Sequence, residues 1–128
     1  MKRDPRKPTE YQIQAAVVSY LRVNALPGVL YLHVPNQQAS GPKRGAFLKR
    51  MAVIPGAADL LLMRSAGGGA YAPTNCYVLW LELKAPGKKP TKAQIDFRNA
   101  AVTAGCAWHW TADLDNVIAL LKRDGWTR

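Results

Sequence analysis

Eight carboxylates stand in a chain of 128 residues that also carries eighteen Lys and Arg, so each acid needs a reason to be there. Asp4 lies in a basic N-terminal stretch. Asp96 falls in the first turns of a helix-forming segment, where its charge suits the macrodipole. Asp113 reads as a helix cap with Asp115 just inside the same helix, and Asp124, beside Gly125, reads as an exposed helix-end residue. Glu10, Asp59 and Glu82 remain, and the chain's only two glutamates are among them. Asp59 lies in Ala57-Ala58-Asp59-Leu60-Leu61-Leu62, and Glu82 in Val78-Leu79-Trp80-Leu81-Glu82-Leu83-Lys84. A carboxylate in so apolar a strand is costly unless it is paired or bound to a cation. Strand periodicity puts Glu82 and Lys84 on one face and Leu81 and Leu83 on the other. If the Asp59 strand pairs with this one, two carboxylates and an ammonium converge. Such a set suits a hard divalent cation such as Mg²⁺, which takes carboxylate oxygens and keeps waters for a phosphate. The lysine then orients or helps deprotonate an attacking water and stabilises charge in the transition state. A buried Lys–Asp or Lys–Glu pair that only ties two strands together is the competing reading.

The elements that must position these residues follow from turn and capping signals. Residues 1–8 read as a flexible basic arm with two prolines, and residues 9–128 as a single domain. Thr9-x-x-Gln12 is a capping box, and Ile13, Ala16, Val17, Tyr20 and Leu21 recur at helical spacing until Asn24 and Pro27-Gly28. Val29 to Val34 reads as a strand. Gly41, Pro42, Gly45 and Pro55-Gly56 break the next stretch, where a short helix from about Lys43 to Met51 and a loop fit equally well. Ala58 to Met63 reads as a buried strand, Gly67-Gly68-Gly69 as a turn, and Tyr77 to Lys84 as a central strand. Thr91-x-x-Gln94 is a second capping box, opening a helix that ends at Gly105. Cys106 to Thr111 is a short strand, and Asp113 caps a last helix through Leu114, Val117, Ile118 and Leu121, closed by Gly125. The order α-β-β-β-α-β-α, with an optional short helix before the second strand, implies an α/β fold: a central mixed sheet flanked by helices.

The charge balance narrows the partners. A net charge of +10 favours a polyanion, because each neutralised phosphate releases condensed counterions. An anionic membrane surface would want a basic amphipathic helix, and none stands out; no stretch approaches the ~18 apolar residues of a span. The basic start leads into no signal-peptide core, so a cytoplasmic location is expected. Cys76 and Cys106 are too few for a disulfide framework, and the paired C-x-x-C spacing of a zinc site is missing.

Pro55-Gly56-Ala57-Ala58-Asp59 followed by Leu81-Glu82-Leu83-Lys84 resembles the PD-(D/E)XK nuclease motif. More narrowly, the chain is similar to the virus-type replication-repair nuclease domain, VRR-NUC. That domain begins with a helix bearing an acid and a glutamine, here Glu10 and Gln14. It continues with a strand ending near His33-Val34-Pro35-Asn36, a Gly-containing basic connection, the Asp and E-x-K strands, and a helix bearing a glutamine, here Gln94. The likeness runs from about Thr9 to Asp113. It departs where the family often has Pro directly before the Asp and this chain has Ala58. It implies a restriction-endonuclease-like fold and a metal-dependent DNA endonuclease using Mg²⁺ or Mn²⁺. By position, Asp59 and Glu82 would ligate metal together with the backbone carbonyl of Leu83. Glu10 would complete the cluster directly or through water, Lys84 would act on the attacking water, and Gln94 would orient Lys84 or the substrate. Stand-alone members are small and often phage-borne, and some act on branched DNA such as four-way junctions as homodimers, so the resemblance implies a homodimer acting on branched DNA in a bacterial or phage-infected cell. A non-catalytic DNA-binding protein on the same fold, and a restriction-type or nicking enzyme on linear duplex, stand as alternatives.

Other residues have two readings each. Gln14 shares a helix face with Glu10 or is simply exposed; His33 reaches the site or is an ordinary strand histidine. Trp80 packs in the core or stacks on a base, core being the better fit for a central strand, and His109 reads as structural. Lys43, Arg44, Lys49 and Arg50 contact phosphate or line a solvated loop. Lys88, Lys89 and Lys92 follow the catalytic strand at a helix start, where a DNA backbone would run past.

Overall fold

The computed structural model describes residues 4–35, 54–66 and 75–128. Within them the chain forms α1 (Glu10–Asn24), β1 (Leu30–His33), β2 (Leu60–Ser65), β3 (Cys76–Leu83), α2 (Lys92–Thr103), β4 (Ala107–Thr111) and α3 (Leu114–Arg123). This is the order expected from sequence. The proposed helix or loop around Lys43–Met51 and the turn at Gly67–Gly69 lie outside the described residues, as do Lys43, Arg44, Lys49 and Arg50.

Both capping boxes are formed. Thr9 accepts from the Gln12 backbone N–H while the Gln12 side chain accepts from Thr9 N–H, and Thr91 and Gln94 do the same for α2. Each box satisfies two backbone donors that a helix start otherwise leaves unpaired. Asp113 caps α3 by accepting from Asp115 N–H. Gly105 and Gly125, with φ of +92° and +80°, end α2 and α3, as the glycine stop signals require.

The four strands lie in the order β1-β2-β3-β4; the first two pairings are antiparallel and β3–β4 is parallel. A parallel pair needs a crossover, and α2 supplies it. Alternation along β2 and β3 sends Leu60, Leu62, Leu79, Leu81 and Leu83 to one face, where they are buried with Ile13, Val17 and Leu21 of α1, Val117 and Leu121 of α3, and Trp126. Each such side chain contributes about 1.5–3 kcal/mol of transfer free energy. On the opposite face Ala58, Phe97 and Ala101 form a smaller cluster with Trp80 and Trp108. Trp80 meets Phe97 edge to face with ring centroids 4.9 Å apart, so core packing is its role.

Strand ends shift by one or two residues from the sequence reading, and two of these shifts bear on the site. The second strand begins at Leu60 rather than Ala58, and Lys84 lies one residue past β3, so both key residues sit at strand mouths. Asp124 is half-buried, pairs with Arg123 at 2.9 Å, and accepts Arg64 through its carbonyl. The sequence reading expects an exposed helix-end residue, and the structure leaves it only partly exposed. The cause is long-range: Arg64 reaches from β2, where its guanidinium also stacks on Tyr77 and Trp126.

Candidate metal centre

The β2–β3 register pairs Leu60 with Leu81, and one step further Asp59 falls opposite Glu82. Backbone geometry therefore sets the two acids side by side as their strands leave the core. Asp59 is fixed twice: its carboxylate Oδ2 accepts the Leu83 backbone N–H at 2.8 Å, and its carbonyl accepts Val34 N–H at 2.9 Å. Glu10, the first residue of α1, joins them, and one carboxylate oxygen from each of Glu10, Asp59 and Glu82 lies within 4.8 Å of the others. Their separation in sequence is wide; the sheet and the start of α1 erase it.

Glu82 is the deepest of the three, 1% exposed, and Lys84 beside it is 8% exposed. Lys84 Nζ lies 3.7 Å from Glu82 Oε1. The same Oε1 accepts Gln94 Nε2 at 2.8 Å. Gln94 thus works at both ends of its amide: the oxygen closes the capping box on Thr91 N–H, and that bond turns the NH₂ toward Glu82. The amide binds the acid rather than Lys84. The family resemblance suggested Lys84 or the substrate as its partner, and only the packing of α2 against β3 reveals which group it reaches.

Gly56 makes that packing close. Its φ is +80°, and a Cβ placed there would run into the backbone of Ala93 at the start of α2. Only glycine lets the segment leading to Asp59 approach the helix that carries Gln94.

Electrostatics are those of a cluster short of cations. Burial, then the negative charge of Asp59, push the Glu82 carboxyl up to about 8; Lys84 opposes this and Glu10 adds to it. Glu10 is raised as well, by burial first and then by Asp59, with Lys84 again opposing. Three acids at this spacing hold together as anions only with positive charge among them. One ammonium is not enough. Glu82 Oε2 is buried with no geometric hydrogen-bond partner among the described residues, and a proton shared with the Asp59 carboxylate helps raise the Glu82 carboxyl; a cation would take that proton's place. An all-oxygen donor set suits Mg²⁺ or Mn²⁺ and not a thiolate-seeking metal. Glu10, Asp59 and Glu82 fit such an ion. The Leu83 main chain reaches the site through its N–H, which is taken up by Asp59.

Gln14 and His33 stand next to this centre. His33 Nδ1 lies 2.9 Å from both Gln14 Nε2 and the Asp59 carbonyl. Donation to the carbonyl requires the Nδ1–H tautomer and acceptance from Gln14 the other, so the nitrogen makes one of these bonds at a time. In the Nδ1–H form His33 braces the segment carrying Asp59. Lys88 and Lys89 are exposed beside a groove that also takes in Trp110, whereas Lys92 is paired with Asp96 at 3.0 Å on the surface of α2. Trp110 was not singled out by the sequence: Trp108-His109-Trp110 alternates like any half-buried strand, and exposure at a sheet edge is settled by what packs nearby.

Among the described residues no helix is long and apolar enough to cross a membrane. No protein-family model matches the chain, and no curated protein matches it either. A solved structure described as a VRR_NUC domain protein is similar to it, with 24% identity over 91% of this chain and 88% of its own, at a TM-score of 0.65. Likeness at that level, over nearly the whole of both chains and with the expected order of elements, shows the architecture: this chain has the same fold as that VRR_NUC domain protein, a four-stranded mixed sheet flanked by three helices.

Proposed function

We propose that the protein is a Mg²⁺- or Mn²⁺-dependent endonuclease that hydrolyses phosphodiester bonds of DNA, acting on branched molecules such as four-way junctions as a homodimer. The observation that carries the reading is the gathering of Glu10, Asp59 and Glu82 within 4.8 Å beside the buried ammonium of Lys84. Buried ion pairs that merely join strands balance their charges, and three acids around one lysine do not. The fold supports the same reading, since the solved structure it resembles is described as a VRR_NUC domain protein.

In this proposal Glu10, Asp59 and Glu82 hold the cation. The bound ion supplies Lewis acidity to the phosphate and lowers the pKa of its water. Lys84 orients the attacking water and offsets negative charge on the phosphate as it grows. Gln94 holds Glu82 in its ligating rotamer, and His33 in its Nδ1–H form steadies the Asp59 carbonyl. Lys88 and Lys89 take phosphates on either side of the cut, and the net charge of +10 draws the polyanion in. A two-fold dimer follows from function: symmetric cutting of a junction needs two sites, and one small domain offers one.

The test uses wild type and Glu82→Ala on labelled linear, flap and four-way-junction DNA with Mg²⁺, Mn²⁺ or EDTA. Metal-dependent cutting by wild type, fastest on the junction, with binding but no cutting by the variant, is the expected result. Equal rates on junction and linear duplex would favour a restriction-type or nicking enzyme. Binding by both proteins with cutting by neither would favour a non-catalytic DNA-binding protein.

A further inference from the structure

A groove of about 630 Å³ opens between the turn after β3 and the junction of β4 with α3, lined among others by Lys88, Lys89, Trp110, Asp113 and Asn116. We propose that it is a subsite for an unpaired nucleotide of the bound DNA strand, with the base laid on Trp110 and the adjoining phosphates on Lys88 and Lys89. The proposal rests on the nuclease reading for why a DNA strand should pass this way.

Three observations carry it. Trp110 pairs in register with Glu82 across the parallel β3–β4 ladder. Partners in register share a face, so the indole projects on the side of the metal centre, one strand spacing of about 5 Å away. The ring is also available. Trp110 is 39% exposed, whereas Trp80 packs on Phe97 and Trp108 lies under Arg98; among the described residues no ring or cation stacks on Trp110. Finally, the backbone that presents the lysines is fixed. Ala85–Lys88 closes as a tight turn with Lys88 N–H donating to the Ala85 carbonyl at 3.0 Å, and Gly87 takes the φ of +83° that follows Pro86 in a type II turn. A lysine pair on a braced turn beside an open indole is the pairing that single strands use: backbone charge plus a stacking platform. Asn116 adds a donor and an acceptor for a base edge, while one oxygen of Asp113 is occupied in capping α3.

The occupant must be unpaired, because a base inside a duplex has its faces covered by its neighbours and reaches a side chain only by leaving the stack. DNA with a free or frayed nucleotide beside the cut, as at a flap, end or junction, is therefore the substrate class this groove selects.

The experiment measures binding in EDTA by fluorescence anisotropy of a labelled single DNA strand, with all its bases or with a run of abasic positions on the same phosphate backbone. Wild type is expected to hold the base-bearing strand roughly tenfold or more tighter. Trp110→Ala should lower that affinity to the abasic level and leave abasic binding unchanged, Trp110→Phe should keep most of the preference, and Lys88→Ala with Lys89→Ala should weaken both strands by similar factors. If Trp110→Ala also loses abasic binding, Trp110→Leu replaces it, keeping bulk without an aromatic face. Equal binding of the two strands by wild type, or a preference that survives loss of the indole, overturns the proposal. Cutting in Mg²⁺ or Mn²⁺ is scored separately. Cutting with base-blind binding removes the groove and leaves the nuclease, and base-dependent binding without cutting does the reverse.

Discussion

Glu82 carries two opposing demands, burial and charge, and its titration should expose them. Its carboxyl is raised from the ordinary 4.5 to about 8, first by burial and then by Asp59. The folded protein therefore keeps this proton over a range in which the unfolded chain has released it. The stability so contributed is fully present below about 4.5 and is lost as pH rises through about 8. Melting in EDTA should show the midpoint falling across that window, and Glu82→Gln should flatten the fall. A divalent cation needs the ionised form, so stabilisation by Mn²⁺ should grow between pH 6 and pH 8; at a hundred times Kd it amounts to about 2.7 kcal/mol. No Mn²⁺ shift at any pH would count against the metal centre itself. Lys84→Met, which removes the ammonium but keeps the bulk, should lower the cutting rate by about 100-fold or more while the Mn²⁺ shift of the melt survives.

At the level of elements, the site depends on how the start of α2 is held. The capping box of Thr91 and Gln94 is at once a helix-stabilising device and the clamp on Glu82. Thr91→Ala should destabilise the protein by about 1 kcal/mol in urea titration, and Gln94→Ala should reduce cutting more than it reduces stability. Gly56→Ala is the harsher change. Left-handed backbone costs a residue with a Cβ roughly 1–2 kcal/mol, and the Cβ also meets the Ala93 backbone. Stability and cutting should fall together in this variant, because Asp59 and Gln94 are both displaced. A Gly56→Ala protein with wild-type denaturation and activity would show that the close approach is dispensable.

For the whole molecule, the charge of +10 predicts binding to DNA that weakens steeply and linearly in log–log terms as salt rises. Removal of Lys88 and Lys89 should reduce that slope by about one for each phosphate left without its lysine. Sedimentation of the protein with and without a four-way junction checks the dimer. A complex holding a single copy would leave symmetric cutting without its second site.

The sequence by itself determined the helix starts and stops, the order of the elements and the acids that had no ordinary reason to be present. These are local matters: Thr9-x-x-Gln12, Thr91-x-x-Gln94, Gly105 and Gly125 act on their own neighbours, and two-residue alternation sorts Glu82 and Lys84 from Leu81 and Leu83 wherever the strand lies. The resemblance of the Asp59 and Glu82-x-Lys84 segments to a known motif added the fold. Tertiary structure alone decided the rest. That Asp59 stands just outside its strand on the Leu83 N–H, that the Gln94 amide reaches Glu82 and not Lys84, that Arg64 reaches the Asp124 carbonyl and that Trp110 faces an open groove all depend on groups far apart in the chain. Local propensity carries no information about which distant surface will arrive to cover a side chain; register and packing supply it.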